Sequence, residues 1–384
     1  MTMRSNSRVV SPTEFRPCCR ATCLSSAVVL AICLLLADTL NAQTASKIVA
    51  HGLADPAAAD RALAGNTPAY HALLEGRVED AQNLLNATLA QNPIDATAHQ
   101  LLCRVFYAQD AADAAISQCE LAIASDPDSP RASRGQSNDR SHDPSNDQLW
   151  LGRAYGLKAR HAGPLAGFTL ARKVHSSFER AVELNPANVD ALSDLGEYYI
   201  AAPFVVGGGM EKAQALTARM MPQFPTAAHR LLGRIAEANK DLATAESEFK
   251  QAIAAPRSPD AHGSASEAWI DLAHFYQTQN RPDDALSAIK SSLAADRTHG
   301  PVLVDAASIL TAARRAPDIA ERCLRTYLAS SGKSDAAPAF KVHLQLSRLL
   351  AARGDTAEAD KEVATAAALA PAFTRRGARA AQGS

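Results

Sequence analysis

One internal period constrains this chain more than anything else in it: large and small apolar residues return in the same order about every 34 residues. The clearest copy sets Trp269, Leu272 and Tyr276 in a W-x2-L-x3-Y spacing, followed by Ala285, Leu286, Ile289 and Leu293. A second runs Leu102, Phe106, Ala115, Cys119, Ala122 and Pro127, and a third Leu346, Gly354, Ala359, Val363, Ala366 and Pro371. Further copies hold Leu73, Gly76, Ala81, Leu85, Leu89 and Pro93 near the start, and Leu232, Gly233, Ala236, Ala245, Phe249 and Ala252 in the middle. Helical spacing in two runs per copy makes each unit a helical hairpin. Its large residues fill the space between helices, and a small Ala on the second helix lets the first approach closely. Such a hairpin cannot cover its own apolar face, so the core comes from stacking, and the end units are expected to be worn or capped.

Composition agrees. Only 5% of residues are aromatic, and long alternating Val/Ile/Thr runs are missing, which excludes a sandwich or barrel. The repeat resembles the tetratricopeptide repeat (TPR). That resemblance implies an all-α fold, a right-handed superhelical solenoid of about eight helix-turn-helix repeats, whose first helices line a concave, partner-binding groove. The chain divides into a signal or anchor (1–42), a tether (43–61), repeats (62–127), an insertion (128–146), irregular repeats with enlarged loops (147–225), further repeats (226–371) and a basic tail (372–384). The insertion contains no Val, Leu, Ile, Phe or Met and is expected to be disordered. Two hairpins in the irregular block carry long connections, over 156–169 and over 202–209. If both lie on one edge of the solenoid, they should meet. The block over 150–225 is also similar to a group of exported bacterial TPR proteins in which segments like AGPLAGFTLARKV, FERAVELNP and APFVVGGG follow in order. This supplies architecture and no chemistry.

At the N-terminus Arg4, Arg8, Arg16 and Arg20 precede an uncharged stretch over 21–37 that ends at Asp38. Leu40-Asn41-Ala42 suits cleavage before Gln43, as in an export signal. The alternative is a retained inner-membrane anchor, although a span needs about 20 apolar residues and this stretch is shorter. Both readings put the bulk outside the cytoplasm, periplasmic or secreted. A lipoprotein is excluded, because Cys33 follows the bulky Ile32 inside the apolar run. Without residues 1–42 the chain keeps 35 basic against 38 acidic residues. No basic excess remains for nucleic acid, and membrane contact is expected only through an uncleaved N-terminal segment. Cys103, Cys119 and Cys323 remain, too few for a disulfide framework, and are expected as packed thiols. Cys103 and Cys119 fall on facing helices of one hairpin, so a single bond between them stays open.

Candidate site residues recur two places after the motif Leu of the first helices: Arg104, Arg153, Arg234, His274 and Arg348. The resemblance puts this position in the groove, where an arginine ladder would take carboxylates or an acidic extended peptide. Glu197 interrupts the series. Tyr107, Tyr155 and Tyr199 stand at motif places and are expected to pack. Phe204 and the run Gly207-Gly208-Gly209 mark the second irregular loop. The glycines could cradle an anion ahead of a helix, but GGGMEKA lacks the nucleotide-loop spacing, so an unusual turn is the better reading.

Enzymatic motifs such as H-E-x-x-H, paired C-x2-C or G-x-S-x-G are missing from the sequence, and His71, His99 and His343 follow the repeat period, not metal-ligand spacing. The expectation is a non-enzymatic scaffold or adaptor without cofactor or metal, binding a protein or peptide. The alternative is a small-ligand-binding or transporter-associated subunit using the loops 156–169 and 202–209. Ala366, Ala367, Ala368 and Leu369 leave an apolar end face that could dimerise.

Overall fold

The computed structural model describes residues 67–125, 142–255, 265–295 and 300–375, all within one compact unit. The signal or anchor, the tether and most of the insertion lie outside the described residues.

Sixteen α-helices pair into eight hairpins among the described residues. They are α1 (Thr67–Leu74) with α2 (Val78–Gln91), α3 (Ala96–Ala108) with α4 (Ala112–Ser125), and α5 (Pro144–Ala159) with α6 (Pro164–Leu184). Then come α7 (Val189–Ala201) with α8 (Met210–Met220), α9 (Pro225–Ala238) with α10 (Leu242–Ala254), and α11 (Ala265–Thr278) with α12 (Pro282–Ala295). The last two are α13 (Val302–Ala312) with α14 (Pro317–Ala329) and α15 (Ala339–Ala352) with α16 (Thr356–Leu369). The all-α repeat fold expected from the period is the fold observed.

Local chemistry sets the helix ends. Asp95, Asp143, Asn188 and Asp241 accept backbone N–H bonds at N-caps, and Pro144, Pro164, Pro225 and Pro317 open helices where no donor is needed. The turns inside hairpins follow one rule. In six of the eight a left-handed residue reverses the chain: Gly76, Asp110, Lys240, Asn280, Arg314 and Gly354, with Ala316 a second one in the seventh hairpin. The next residue then donates its N–H to the carbonyl five places back, as Ala111 does to Phe106 and Arg315 to Leu310. Hairpins 3 and 4 break the rule, and they are the two the sequence marks as irregular.

Hairpin 3 differs from expectation. The connection predicted over 156–169 is mostly helix: α5 continues to Ala159, and α6 starts at Pro164. Pro164 at the first helical position and the apolar face of Leu170, Val174 and Phe178 outweigh the loop signal of Gly163 and Gly167. The insertion is also shorter than predicted, since Asp143 caps α5 and Pro144 to Asn146 already belong to it.

First helices pack on one another continuously from α1 to α13, forming an inner layer, while second helices cover the outside. Aromatic contacts tie hairpins together, with the Phe249 and Phe275 rings 5.6 Å apart. Cys103 and Cys119 are bonded, with Cα atoms 5.3 Å apart, which corrects the expectation of packed thiols. They sit on the two paired helices α3 and α4 of one hairpin. Cys323 is free and buried.

The stack closes on itself. Phe340 of α15 is fully buried in one core cluster with Tyr70, Leu73 and Leu101 from the first two hairpins and with Ala366 from the last. Phe373 stacks edgewise on it at 4.9 Å, so this residue belongs to the fold and not to a tail. The Ala372 N–H donates to Glu79 (2.9 Å), Arg104 to Asp335 (2.6 Å) and Lys341 to Asp110 (2.9 Å). Ala366, expected on a free apolar end face, is covered by the chain's own first hairpins because this seam seals it.

Candidate functional site

The first helices α3, α5, α9 and α11 bring Arg104, Arg153, Arg234 and His274 onto the inner layer, where the three arginines find acids of the chain itself, while Arg348 lies on α15. Arg104 Nε donates to Asp335 in the segment before α15, and its guanidinium lies over the Tyr70 and Trp150 rings, 5.2 and 5.1 Å from their centroids. Arg153 donates to Asp194 on the next first helix at 2.7 Å, with both side chains almost wholly buried. Burial disfavours charge on Arg153, but the attraction and hydrogen bond of Asp194 outweigh it and hold the guanidinium protonated. Arg234 donates to Glu197 (3.2 Å) and pairs with Glu237 of its own helix. Glu197, which interrupts the arginine series in the sequence, is thus the acid that one of those arginines uses.

Arg230, not among the predicted residues, does the same: it pairs with Asp271 and, at 3.4 Å, with Glu267 on the following first helix. The separation of 41 residues in both Arg153–Asp194 and Arg230–Asp271 was a signal available in the sequence. His274 is half-buried on α11. Arg348 stands exposed on α15, without an acidic partner among the described residues.

A second recurrence explains the scattered histidines. His99 bonds to Gln118, His229 to Glu248 and His343 to Glu362, each 19 residues on, pinning a first helix to its own second helix. The motif tyrosines reach the other way. Tyr155, Tyr199 and Tyr276 donate to Glu120, Glu179 and Glu246 on the preceding second helix, so they join hairpins, as the packing expectation held.

The irregular loop over 202–209 docks on α6. A single 3-10 turn, Phe204–Val206, follows Pro203. Tyr198 donates to the Val206 carbonyl at 2.7 Å, with the Ala171 carbonyl of α6 at 2.9 Å, and stacks on His175. Gly207 is left-handed, and a Cβ there would lie 2.6 Å from the His175 ring, so only glycine fits. The N–H groups of Gly207, Gly208 and Gly209 donate to the carbonyls of Phe204, Pro203 and Tyr199. They are therefore engaged within the turn, and Lys212 caps the Gly207 carbonyl. The 202–209 turn thus meets α6 at Ala171 and His175, and not the 156–169 segment it was expected to meet. Both segments carry exposed apolar side chains: Leu165 is 84% and Phe204 83% exposed, with Val205 beside it at 57%.

Among the described residues no group of three or more His, Cys, Asp or Glu is arranged to hold a metal ion, and no helix is long and apolar enough to cross a membrane.

Comparison with known proteins points to the repeat itself. A family model described as tetratricopeptide repeat matches residues 72–138. No curated protein sequence matches the chain significantly. Solved structures that resemble it include the C-terminal part of a TPR repeat-containing protein from Cytophaga hutchinsonii, 14% identical, covering 80% of this chain and 96% of that one at a TM-score of 0.36. Another is a monomeric IFIT1 mutant solved with a capped RNA, 14% identical over 80% of this chain and 75% of that one, TM-score 0.37. A third is the Cut9–Hcn1 hetero-tetramer of the APC/C, 15% identical over 77% and 71%, TM-score 0.24. The family model matches a repeat over 72–138, and helical hairpins of the same build continue to the end of α16, so the fold is an all-α stack of tetratricopeptide-type hairpins.

Proposed function

We propose that this chain is an exported repeat scaffold that takes an acidic or carboxylate-bearing peptide or protein segment along the first helices of hairpins 5 to 8. The observation that carries the reading is Arg348. It stands in register with the paired arginines, yet is exposed and has no acidic partner among the described residues. A carboxylate arriving there would gain a charge-assisted hydrogen bond without displacing an internal one. Arg104 and Arg153 differ, since a partner's acid would first have to remove Asp335 and Asp194 from buried pairs. Binding, not catalysis, suits a wall whose ionic groups are spent on one another. Export is supported by the basic and then apolar N-terminal sequence and by the Cys103–Cys119 bond, since disulfides persist in oxidising compartments.

The test is affinity capture from the cell envelope with residues 43–384, beside an Arg348→Glu variant. A protein recovered by the parent, lost by the variant and released as salt rises supports the reading. Identical recovery by both would sink it. The exposed Phe204 and Val205 favour a second reading, a small-ligand-binding or transporter-associated subunit working through 202–209. Native mass spectrometry distinguishes it, by a small molecule that the parent retains and Phe204→Ser loses.

A further inference from the structure

Where hairpins 2 and 3 meet the seam, three donor atoms are buried without an acceptor: Tyr107 Oη, Arg153 Nη2 and Arg160 Nε. They share one corner. The Tyr107 ring meets the Trp150 indole edge-on at 5.4 Å, and the Arg153 guanidinium lies over the same indole at 4.9 Å. Arg160, half-buried just after α5, is near enough for its charge to act on the Tyr107 hydroxyl and on Lys341 across the seam. Burial holds Tyr107 well above the usual phenol range, so its hydroxyl stays a neutral donor.

The surrounding carboxylates are committed elsewhere. Asp335 serves Arg104, Asp110 serves Lys341, and Asp194 serves Arg153 through Nε, which leaves Nη2 unmet. Asp190 on α7 also acts on Arg153. Arg160 has no carboxylate partner among the described residues. The tyrosines of hairpins 3, 4 and 6 each have a glutamate acceptor, whereas Tyr107, one place later in its helix, has none.

Guanidinium N–H groups donate and never accept, so whatever completes this corner must bring acceptors. One oxyanion supplies several lone pairs together with the negative charge that Arg160 lacks. We propose that this corner is a binding site for a small oxyanion, a carboxylate or a phosphate, held by Tyr107, Arg153 and Arg160 beside Trp150. Arg160 forms its mouth, because it is the least buried of the three. The proposal goes beyond the scaffold reading and does not depend on it, since Arg348 takes no part.

Trp150 and Trp269 are the two tryptophans of the chain, so a Trp269→Phe background makes Trp150 the reporter. Its fluorescence is followed while sodium phosphate or sodium acetate is added at constant ionic strength, made up with sodium chloride. A saturable change is expected with one of them, and which one saturates tells phosphate from carboxylate. Arg160→Gln should weaken binding about tenfold, the loss typical of one hydrogen bond to a charged group. Tyr107→Phe should weaken it less, and Arg348→Gln not at all. The proposal is overturned if neither anion gives a saturable change in the parent, or if Arg160→Gln and Tyr107→Phe bind as the parent does. The parent titration decides alone should a variant fail to fold.

Discussion

Glu246, on the outer helix α10, accepts bonds from Lys250 (2.7 Å), Arg281 (2.6 Å) and Tyr276 (2.9 Å), and so joins hairpin 5 to hairpin 6. The Lys250 bond, with those from Arg281 and Tyr276, pulls its pKa down to about 2. Because the folded value lies below the unfolded one, the stabilisation is complete above the ordinary carboxylate range and is lost as pH falls towards 2. Urea midpoints should therefore separate the parent from Glu246→Gln at pH 6 and converge near pH 2; a constant gap would contradict this assignment. Gly233 sets a second residue-scale limit. A Cβ there would lie 2.8 Å from the buried Phe249 ring, so Gly233→Ala is expected to cost about 1–3 kcal/mol by overpacking, although Ala is the better helix former. Denaturant titration reads this directly. At this scale much was legible: Phe249, Tyr276 and Leu272 could be assigned to the core from spacing. The partners of the arginines could not, because an ion pair between two first helices leaves no local pattern, only the recurrence of an acid 41 residues on.

Elements were readable where turn chemistry and period agreed. Gly76 and Gly354 announce their reversals. Asp110, Lys240, Asn280 and Arg314 reverse the chain in the same way without a glycine, because the bonds around the turn compensate the left-handed backbone. The segment over 156–169 failed the other way, since its glycines suggested a loop while Pro164 was in fact starting a 21-residue helix. The α3–α4 hairpin carries the one covalent tie among the described residues. Its sulfurs close a sequence separation of 16 residues, which limits the unfolded chain by about 3 kcal/mol in the chain-entropy account. Cys103→Ser with Cys119→Ser, or reduction of the parent, should lower the melting temperature, and calorimetry under both conditions checks it. Unchanged melting would show that packing of α3 on α4 alone fixes this hairpin.

The whole molecule holds what the sequence hid most completely. Asp335 and Lys341 meet residues 231 positions away, and no periodicity foretells a contact between the second hairpin and the start of the last. Phe340→Ala should remove a fully buried ring at the seam and cost about 3–5 kcal/mol. Asp335→Asn combined with Lys341→Met should leave the helices intact while loosening the closure. Small-angle scattering is expected to show a larger radius of gyration for that double variant, with unchanged far-ultraviolet circular dichroism; identical scattering would mean that Phe340 and Phe373 hold the seam without the ion pairs.

An open repeat array loses its terminal units first, because each has a neighbour on one side only. Here the first hairpin is the neighbour of the last, through Glu79, Phe340 and Ala372. Fraying therefore has no place to begin. Amide exchange should be slow in α1 and α16 as well as in the middle helices, and the molecule should unfold as a hoop does, by breaking once and then losing everything.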